Sequence, residues 1–404
     1  MTAAGTHRLT AADMRELADP EGGAGLARRL RAAELSKHKL LLEQVRKRLG
    51  RDRPGETFTA FESLRNRLVA VEKTHPDLVA RVLATPHLGA WTAQSLMALD
   101  AGRDPDIEYF AALVAAACER AGQRFEISLP IHSGPLNLPG VGMVRASDGR
   151  VRVTEPVRVR AEAGGLVLEA SLDPGDPQLA GCGLRGMPLG PADLAAWREA
   201  VPEAWAVLVR YSRPTAAAVA EAVTTIVPMR PAPDGLPTGA TSGWAFGAIG
   251  LALAPTPEAF AEGLLHESRH VLLGGVMDLV PLTRPAGRRY YSPWREDPRP
   301  IDGLLQGCYA FFAVTGFWRA QRHLGSAGER LRGDVAYARW RGATSDAADS
   351  LARSGELTPA GRALVEEMRR RLDAWRDEPV AAEAAQEAET LLRGHRERWL
   401  ARHA

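Results

Sequence analysis

Apolar residues recur at helical spacing from residue 10 to residue 120. Thr10, followed three residues later by Asp13, has the form of a capping box and predicts a helix start. The stretch 26–50 continues the pattern as one long helix that ends at Gly50, and RDRPGE at 51–56 predicts a linker. The first part of the chain is therefore expected to be helical.

The period of the pattern changes to two at Phe125, where RFEISLPI predicts a strand. Apolar and polar residues then alternate over 142–172, with two-residue turn signals at Asp148-Gly149 and Gly164-Gly165. This alternation predicts an antiparallel sheet with one solvated face. Similar patterns further along the chain predict strands at 204–210 and 242–255 and a short helix at 215–224.

Helical spacing returns after Pro255. Thr256, Pro257 and Glu258 supply a cap residue, a proline at the first helical position and an acid in the first turn. The order of helices, then sheet, then helices predicts an α+β fold. The expected regions are a helical N-terminal part at 1–122, an antiparallel β-rich part at 123–255, and a helical metal-binding part at 256–404.

The composition limits the function without defining it. Lys and Arg total 51 against 49 Asp and Glu, and this net charge of +2 creates no global attraction for nucleic acid or an anionic membrane. The three cysteines form no CxxC unit, which argues against a disulfide framework and a cysteine-based zinc site. Because the N-terminus lacks the apolar core of a signal peptide and no apolar run could span a bilayer, we expect a cytoplasmic protein.

One short motif carries chemistry. His266, Glu267 and His270 form an HExxH motif within an apolar, predicted helix. Residues four apart lie on one helical face, so both imidazoles are able to reach the same metal ion. Glu267 lies beside them, within reach of a metal-bound water. We expect His266 and His270 to be metal ligands and Glu267 to be a catalytic carboxylate, with structural histidines as the alternative.

The spacing does not supply a third metal ligand of a familiar kind. The positions that a metzincin fills with Gly and His hold Leu and Val here. Asp278 lies eight residues past His270, about 12 Å along a helix unless Gly274-Gly275 breaks it. Glu296 lies in a predicted loop, and His132 lies at the end of a predicted strand. A standard zinc peptidase is thus incomplete but still open.

The segment that follows the motif is rich in aromatic residues, Arg and Pro. Together with four other segments it resembles the HExxH motif-containing peptide-modification family of bacteria, whose members act on ribosomally synthesised peptides. The similarity covers most of the chain, in the same order, and is most distinctive over 264–319. The segments are LRAAELSKHKLLL, LPIHSGPLNLPGVG, WAFGAIGLALAP, LLHESRHVLLGGVMDLVPL and YSPWREDPRPIDGLLQGCYAFFAVTGFWR.

The resemblance implies an Fe(II) enzyme that uses 2-oxoglutarate and O2 to hydroxylate a β-carbon in a precursor peptide. It also implies a radical-SAM cyclophane-forming enzyme as a further partner in the pathway. In the family pattern a histidine in GLLHG is the third ligand, and Gln306 occupies that position here. An amide oxygen is a weak ligand for Fe(II). Three alternatives follow: Gln306 binds the metal, another residue or water replaces it, or the site is altered or inactive.

The resemblance also suggests a cosubstrate site. Arg295 and Arg299 lie in the loop SPWREDPRP, and the similar segment of the family carries them too. The distal carboxylate of 2-oxoglutarate needs a fixed cation, which a bidentate arginine supplies. Pairing of these arginines with acids of their own loop is the alternative. Tyr290, Tyr291 and Trp294 precede them in a predicted loop and are expected to line the substrate pocket.

The expected function is therefore Fe(II)- and 2-oxoglutarate-dependent hydroxylation of a precursor peptide. Two other functions remain open. The first is a zinc metallopeptidase in which Glu267 is the general base. The second is a non-catalytic, peptide-binding relative with a decayed metal site.

Overall fold

The structure, a computed structural model, describes residues 5–124, 134–147, 150–231 and 238–403. These residues form fourteen helices and eight strands, with helices at both ends of the chain and the sheets between them. The predicted α+β class is confirmed. Contacts group the chain into two compact units made of interleaved segments. The first comprises the described parts of Met1–His7, Arg28–Trp205 and Ala220–Phe260, and the second those of Arg8–Ala27, Ala206–Val219 and Ala261–Ala404.

Six helices form the N-terminal part: α1 (Ala11–Leu17), α2 (Ala24–Asp52), α3 (Glu56–Thr74), α4 (Pro76–Leu83), α5 (Pro86–Asp100) and α6 (Ile107–Arg120). The capping box predicted at Thr10 is confirmed, because its hydroxyl accepts from the Asp13 N–H and the Asp13 carboxylate accepts from the Thr10 N–H. Helix α2 continues past Gly50, where the predicted stop is wrong. A glycine inside a helix costs only about 1 kcal/mol relative to alanine.

Stacked aromatic rings form part of the core of the first unit. Trp91 of α5 and Phe110 of α6 stack with 4.8 Å between ring centroids, and Phe61 of α3 stacks on Phe110 at 5.2 Å. All three side chains are buried. Such pairs contribute about 0.5–1.5 kcal/mol beyond the burial of their area. Three helices therefore share one core.

The strands form two sheets. An antiparallel sheet contains β1 (Leu136–Leu138), β2 (Gly142–Ser147) and β3 (Arg150–Thr154). A second sheet has the order β4-β5-β6-β8-β7, with β4 (Arg158–Ala163), β5 (Leu166–Leu172), β6 (Thr225–Pro228), β7 (Gly239–Thr241) and β8 (Ala248–Leu251). Its outer pairs are antiparallel, as the alternation predicts, whereas β6 pairs in parallel with both β5 and β8.

The turn predicted at Gly164-Gly165 is confirmed. Ala163 pairs with Leu166 across it, and the two glycines have φ of 53° and 74°. Positive φ at both central residues is what a two-residue type I′ hairpin requires. The turn predicted at Asp148-Gly149 and the strand predicted from Phe125 lie outside the described residues.

The strand predicted at 204–210 is wrong, because this segment is the end of helix α8 (Pro191–Tyr211). Val201, Ala204, Trp205 and Leu208 are buried and form the i, i+3, i+4, i+7 stripe of a helix. A short apolar run does not distinguish a strand from a helix, and the helical residues before it decide here. Two further helices lie near it, the short α7 (Pro177–Gly181) and α9 (Arg213–Ala222).

The C-terminal helices are α10 (Pro257–Leu279), α11 (Ile301–Gln321), α12 (Ala327–Arg353), α13 (Pro359–Trp375) and α14 (Ala382–His403). The predicted start of α10 is confirmed, and the Thr256 hydroxyl accepts from the Ala259 N–H at 3.2 Å. Helix α10 is not broken at Gly274-Gly275. Among the described helices, none combines the length and the apolar character that crossing a membrane requires.

Candidate metal centre

The HExxH histidines lie on α10 and face a row of side chains on α11. Residues 262, 266 and 270 are spaced by four and fall along one face of α10. Their partners follow in the reverse order along α11, so the two helices meet as an antiparallel pair. The contacts are Trp318 with Glu262, Phe311 with His266, and Gln306 with His270.

The two histidines face each other through the same ring atom. His266 Nε2 lies 3.1 Å from His270 Nε2, and His270 Nδ1 lies 3.0 Å from Gln306 Oε1. Because an amide oxygen only accepts, His270 donates from Nδ1 and its Nε2 carries a lone pair. The lone pair is directed at His266.

The electrostatics keep both imidazoles in the state that binds metals. Burial lowers the pKa of His266 well below its usual value, and His270 adds to the effect. Burial also lowers the pKa of His270. Neutral imidazoles are metal ligands. Two nitrogens that bind one ion at roughly 2.1 Å and at a right angle stand about 3 Å apart. The observed separation therefore fits two ligands of one ion.

Gln306 contacts His270 on the nitrogen that does not face His266. Its amide nitrogen lies 3.5 Å from Met277 Sδ, which leaves Oε1 directed at His270 Nδ1. A hydrogen-bond acceptor on the second ring nitrogen is the usual support of a metal-ligating histidine, because it fixes the tautomer and the ring orientation. Gln306 is thus brought to the site, in a position that supports His270. Direct ligation by Gln306 would require its side chain to rotate.

Glu267 is a buried carboxyl group beside the histidine pair. Its Oε1 lies 4.0 Å from His266 Nε2. Burial raises the pKa of Glu267 to about 8. Within the described part of the chain, no hydrogen bond to the carboxylate opposes that change. In the metal-free protein, Glu267 is therefore able to exchange a proton near neutral pH.

Aromatic rings cover one side of His266. Phe311 lies 4.6 Å from His266, 4.7 Å from Trp294 and 4.2 Å from Trp340, measured between ring centroids. Gly307 makes room for Trp294, since a Cβ at that position would collide with the indole. Of the three predicted pocket residues, only Trp294 packs on the ring that covers His266. No motif indicated Trp340, which lies in α12.

The other two predicted pocket residues have partners elsewhere. The Tyr290 hydroxyl donates to Glu356 at 2.6 Å, and the Tyr291 hydroxyl lies 2.9 Å from His395 Nδ1. Both tyrosines are half-buried. Their hydroxyl groups fix the loop to the segment before α13 and to α14, while Trp294 of the same loop reaches the histidines through Phe311.

The two predicted cosubstrate arginines share one acid of their own loop. Arg295 Nε lies 2.9 Å from Asp297, and Arg299 Nη1 lies 3.1 Å from the same carboxylate. Arg295 is exposed, whereas Arg299 is half-buried and close enough to lower the pKa of His270. The structure thus brings Arg299, but not Arg295, near the histidines.

The other candidates for a third ligand lie apart from the pair. Asp278 is exposed and stays two turns past His270, since α10 is continuous. Glu296 is exposed and pairs with Arg402. His132 lies outside the described residues. Within the described ranges, no third His, Cys, Asp or Glu joins both histidines at a spacing suited to one ion.

A second group of metal-ligand type lies in the first unit, and no motif indicated it. Ligand atoms of His87, Asp173 and Asp176 lie within 4.8 Å of one another, and all three residues are buried. His87 Nε2 lies 2.8 Å from Asp173, and Asp176 accepts from the Tyr109 hydroxyl at 2.7 Å. Backbone N–H groups bond the remaining carboxylate oxygens. The two carboxylates are therefore bonded within an internal network, whereas the buried His87 Nδ1 has no hydrogen-bond partner among the described residues.

No protein-family model matches the chain, and no curated protein matches it. The resemblance to the HExxH peptide-modification family rests on the quoted segments alone.

Proposed function

We propose that this chain is an Fe(II)- and 2-oxoglutarate-dependent oxygenase that hydroxylates a β-carbon of a residue in a precursor peptide. The observation that carries the proposal is the pair of neutral imidazoles, with His266 Nε2 and His270 Nε2 only 3.1 Å apart. Gln306, at the position of the third histidine of the resembling family, contacts His270.

The donor set suits an open, exchangeable site. Two imidazoles leave several positions around an ion for small ligands, whereas a structural zinc site is closed by four protein ligands. Iron, O2 and 2-oxoglutarate, when bound, supply the oxidising chemistry. His266 and His270 would hold the metal.

The remaining residues of the site have supporting tasks. Gln306 orients the His270 ring, and Phe311 covers His266 on one side. Trp294 stacks on Phe311, Trp340 packs against it at a tilt, and both extend this cover. Exclusion of water around a reactive centre prevents side reactions. Glu267 is positioned to hold or release a proton beside the metal position.

The substrate and the partner come from the resemblance alone. A precursor peptide is the proposed substrate, and a radical-SAM cyclophane-forming enzyme is the proposed pathway partner. Both belong to a cytoplasmic pathway. The near balance of 51 basic and 49 acidic residues supports neither nucleic acid nor a membrane as a partner.

One observation favours a second candidate, a zinc metallopeptidase. The Glu267 carboxylate lies 4.0 Å from His266 Nε2, where it could take a proton from a metal-bound water. Such an enzyme would retain zinc and cleave peptides without consuming 2-oxoglutarate.

Metal titration and product analysis test the proposal. The full chain should bind Fe(II) without oxygen, and His266→Ala or His270→Ala should weaken binding by more than the roughly 10–100-fold typical of outer-shell changes. His323→Ala, at an exposed histidine of the same unit, is the matched control. With O2, the wild type should form succinate from 2-oxoglutarate. Tight zinc with peptide cleavage and no succinate would replace the proposal by the peptidase.

A further inference from the structure

Most arginines near the two metal-site helices already have an acidic partner. Arg295 and Arg299 share Asp297, and Arg319 pairs with Glu378 at 2.6 Å. An arginine that is neutralised in this way gains little from a second carboxylate. A cation for an anionic ligand should instead lack a carboxylate in the protein.

Arg339 of α12 meets this condition. Within the described part of the chain, no carboxylate lies within ion-pair distance of its guanidinium, and its buried Nε has no hydrogen-bond partner. The side chain is half-buried. Burial lowers the pKa of Arg339, and the more distant charge of Glu262 opposes that change. A partly desolvated guanidinium without an acid is costly unless a ligand supplies one.

One row of ring contacts connects Arg339 to the histidine pair. Its guanidinium carbon lies 4.4 Å from the centre of the Trp340 ring, and that ring packs at a tilt against Phe311, which covers His266. Glu262 precedes His266 by one helical turn, and its charge opposes the lowering of the Arg339 pKa. Arg339 thus lies at the end of an aromatic row that begins at His266.

This placement suits one end of an extended dicarboxylate. In 2-oxoglutarate the keto-acid end is the metal chelator, and the second carboxylate lies at the far end of a five-carbon chain. The cation for that second carboxylate must therefore stand back from the metal ligands. A guanidinium that stacks on an indole keeps its N–H edge for a bidentate contact.

We propose that Arg339 binds the distal carboxylate of 2-oxoglutarate. The inference rests on the proposed function, since it names the cation of the same site. It also assigns Arg295 and Arg299 to fixing their loop through Asp297.

A comparison of two ligands, one of which lacks the distal carboxylate, tests the assignment by binding measurements without turnover. The Fe(II)-loaded full chain, kept free of oxygen, is titrated calorimetrically with 2-oxoglutarate and with 2-oxobutyrate, which lacks the distal carboxylate. Arg339→Ala should weaken 2-oxoglutarate by at least about 30-fold and leave 2-oxobutyrate unchanged. Arg332→Ala, at an exposed position of the same helix, is the matched control and should change neither ligand.

The outcomes separate this inference from the proposed function. A wild type that binds neither keto acid contradicts the proposed function itself. The inference is overturned if the wild type prefers 2-oxoglutarate to 2-oxobutyrate and Arg339→Ala keeps that preference. If Arg299→Ala instead loses affinity for 2-oxoglutarate alone, the distal carboxylate binds at Arg299. If Arg339→Ala does not fold, Arg339→Lys is titrated with the same two ligands in its place. It keeps the charge but loses the bidentate geometry, so a partial, selective loss is expected.

Discussion

His270 is supported by an amide where metal-ligating histidines often have a carboxylate. The Gln306 oxygen accepts from His270 Nδ1 at 3.0 Å without adding a negative charge. A charged acceptor makes an imidazole a stronger donor to a metal, and a neutral one does so less. The residue at 306 should therefore tune the metal affinity through His270.

Substitutions at Gln306 should change the Fe(II) affinity in a way that reveals this effect. Gln306→Leu removes the acceptor and should weaken Fe(II) binding by roughly 10–100-fold, whereas Gln306→Glu retains an acceptor and should preserve or strengthen it. Metal titration without oxygen measures both. If Gln306→His tightens binding strongly while Gln306→Leu has no effect, residue 306 is instead a ligand position.

Glu262 should make the stability depend on pH. Burial raises the pKa of Glu262 from its ordinary 4.5 to about 7, against a hydrogen bond from Trp318. Between these values the folded protein holds a proton that the unfolded chain releases, so stability falls as pH rises from about 4.5 to about 7. Glu262→Gln should remove this fall, on the order of 1–3 kcal/mol.

Urea unfolding of the metal-free protein at pH 5 and pH 7.5 measures the effect. The variant should gain stability relative to the wild type at the higher pH and not at the lower. Glu397→Gln, at an exposed position, is the control and should leave the pH dependence unchanged. An unchanged wild-type profile in Glu262→Gln would contradict the assignment.

The sequence could predict only the part of the site that lies within one helix. His266 and His270 are four residues apart in one helix, so helical geometry alone brings them together. Arg339 and Trp340 could not be predicted, because no motif surrounds them. Their relation to His266 depends on how α12 packs on α11, which residue spacing does not encode.

Among the larger structural elements, the loop that contains Trp294 packs closely on α11 because residue 307 of that helix is a glycine. The indole of Trp294 lies against the backbone of Gly307, where a Cβ would collide with the ring. The neighbouring Gly303 is also crowded, but by the flexible end of Arg299. One of these glycines is therefore required by packing, and the other tolerates a methyl group.

Gly307→Ala should displace Trp294 and destabilise the protein by about 1–3 kcal/mol. It should also loosen the aromatic cover of His266, which the fluorescence of the displaced indole should report. Gly303→Ala is the matched control. It should be neutral or stabilising by up to about 1 kcal/mol, since alanine is the better helix former and Arg299 is able to move. Equal effects of the two substitutions would refute this distinction.

The elements were predicted best where the pattern is long or where a turn has special chemistry. The helix that starts at Pro257 and the hairpin at Gly164-Gly165 are of this kind. The apolar run at 204–210 is too short to separate helix from strand, and only the helix before it decides. The parallel pairing of β6 could not be predicted, because its partners β5 and β8 come from other parts of the chain.

At the scale of the whole molecule, each compact unit is made of segments that are distant in sequence. In the second unit, Arg269 of α10 donates to the carbonyl oxygens of Gly22 and Pro20 at 2.8 and 2.7 Å. The side chain of Arg269 is buried. The predicted regions follow the order of the chain, at 1–122, 123–255 and 256–404. Order along the chain carries no information on contacts between such distant segments.

Arg269→Met should therefore destabilise the second unit. The change preserves much of the apolar stem but leaves two carbonyl groups without their donor, at a cost of about 2–4 kcal/mol in the free energy of unfolding. Urea unfolding measures it. Arg319→Met removes a more exposed pair with Glu378 and should cost less than about 1 kcal/mol. Comparable losses in the two variants would show that the carbonyl contacts of Arg269 contribute little.

The acceptors of Arg269 belong to the main chain, and this has a consequence for evolution. A substitution at position 20 or 22 changes a side chain but leaves the carbonyl oxygen in place, so no compensating change at 269 is selected. Arg269 should stay invariant opposite a segment that drifts freely in sequence while its length and path are conserved. Residue covariation between homologues would then give no trace of this link, although it joins positions separated by 247 and 249 residues.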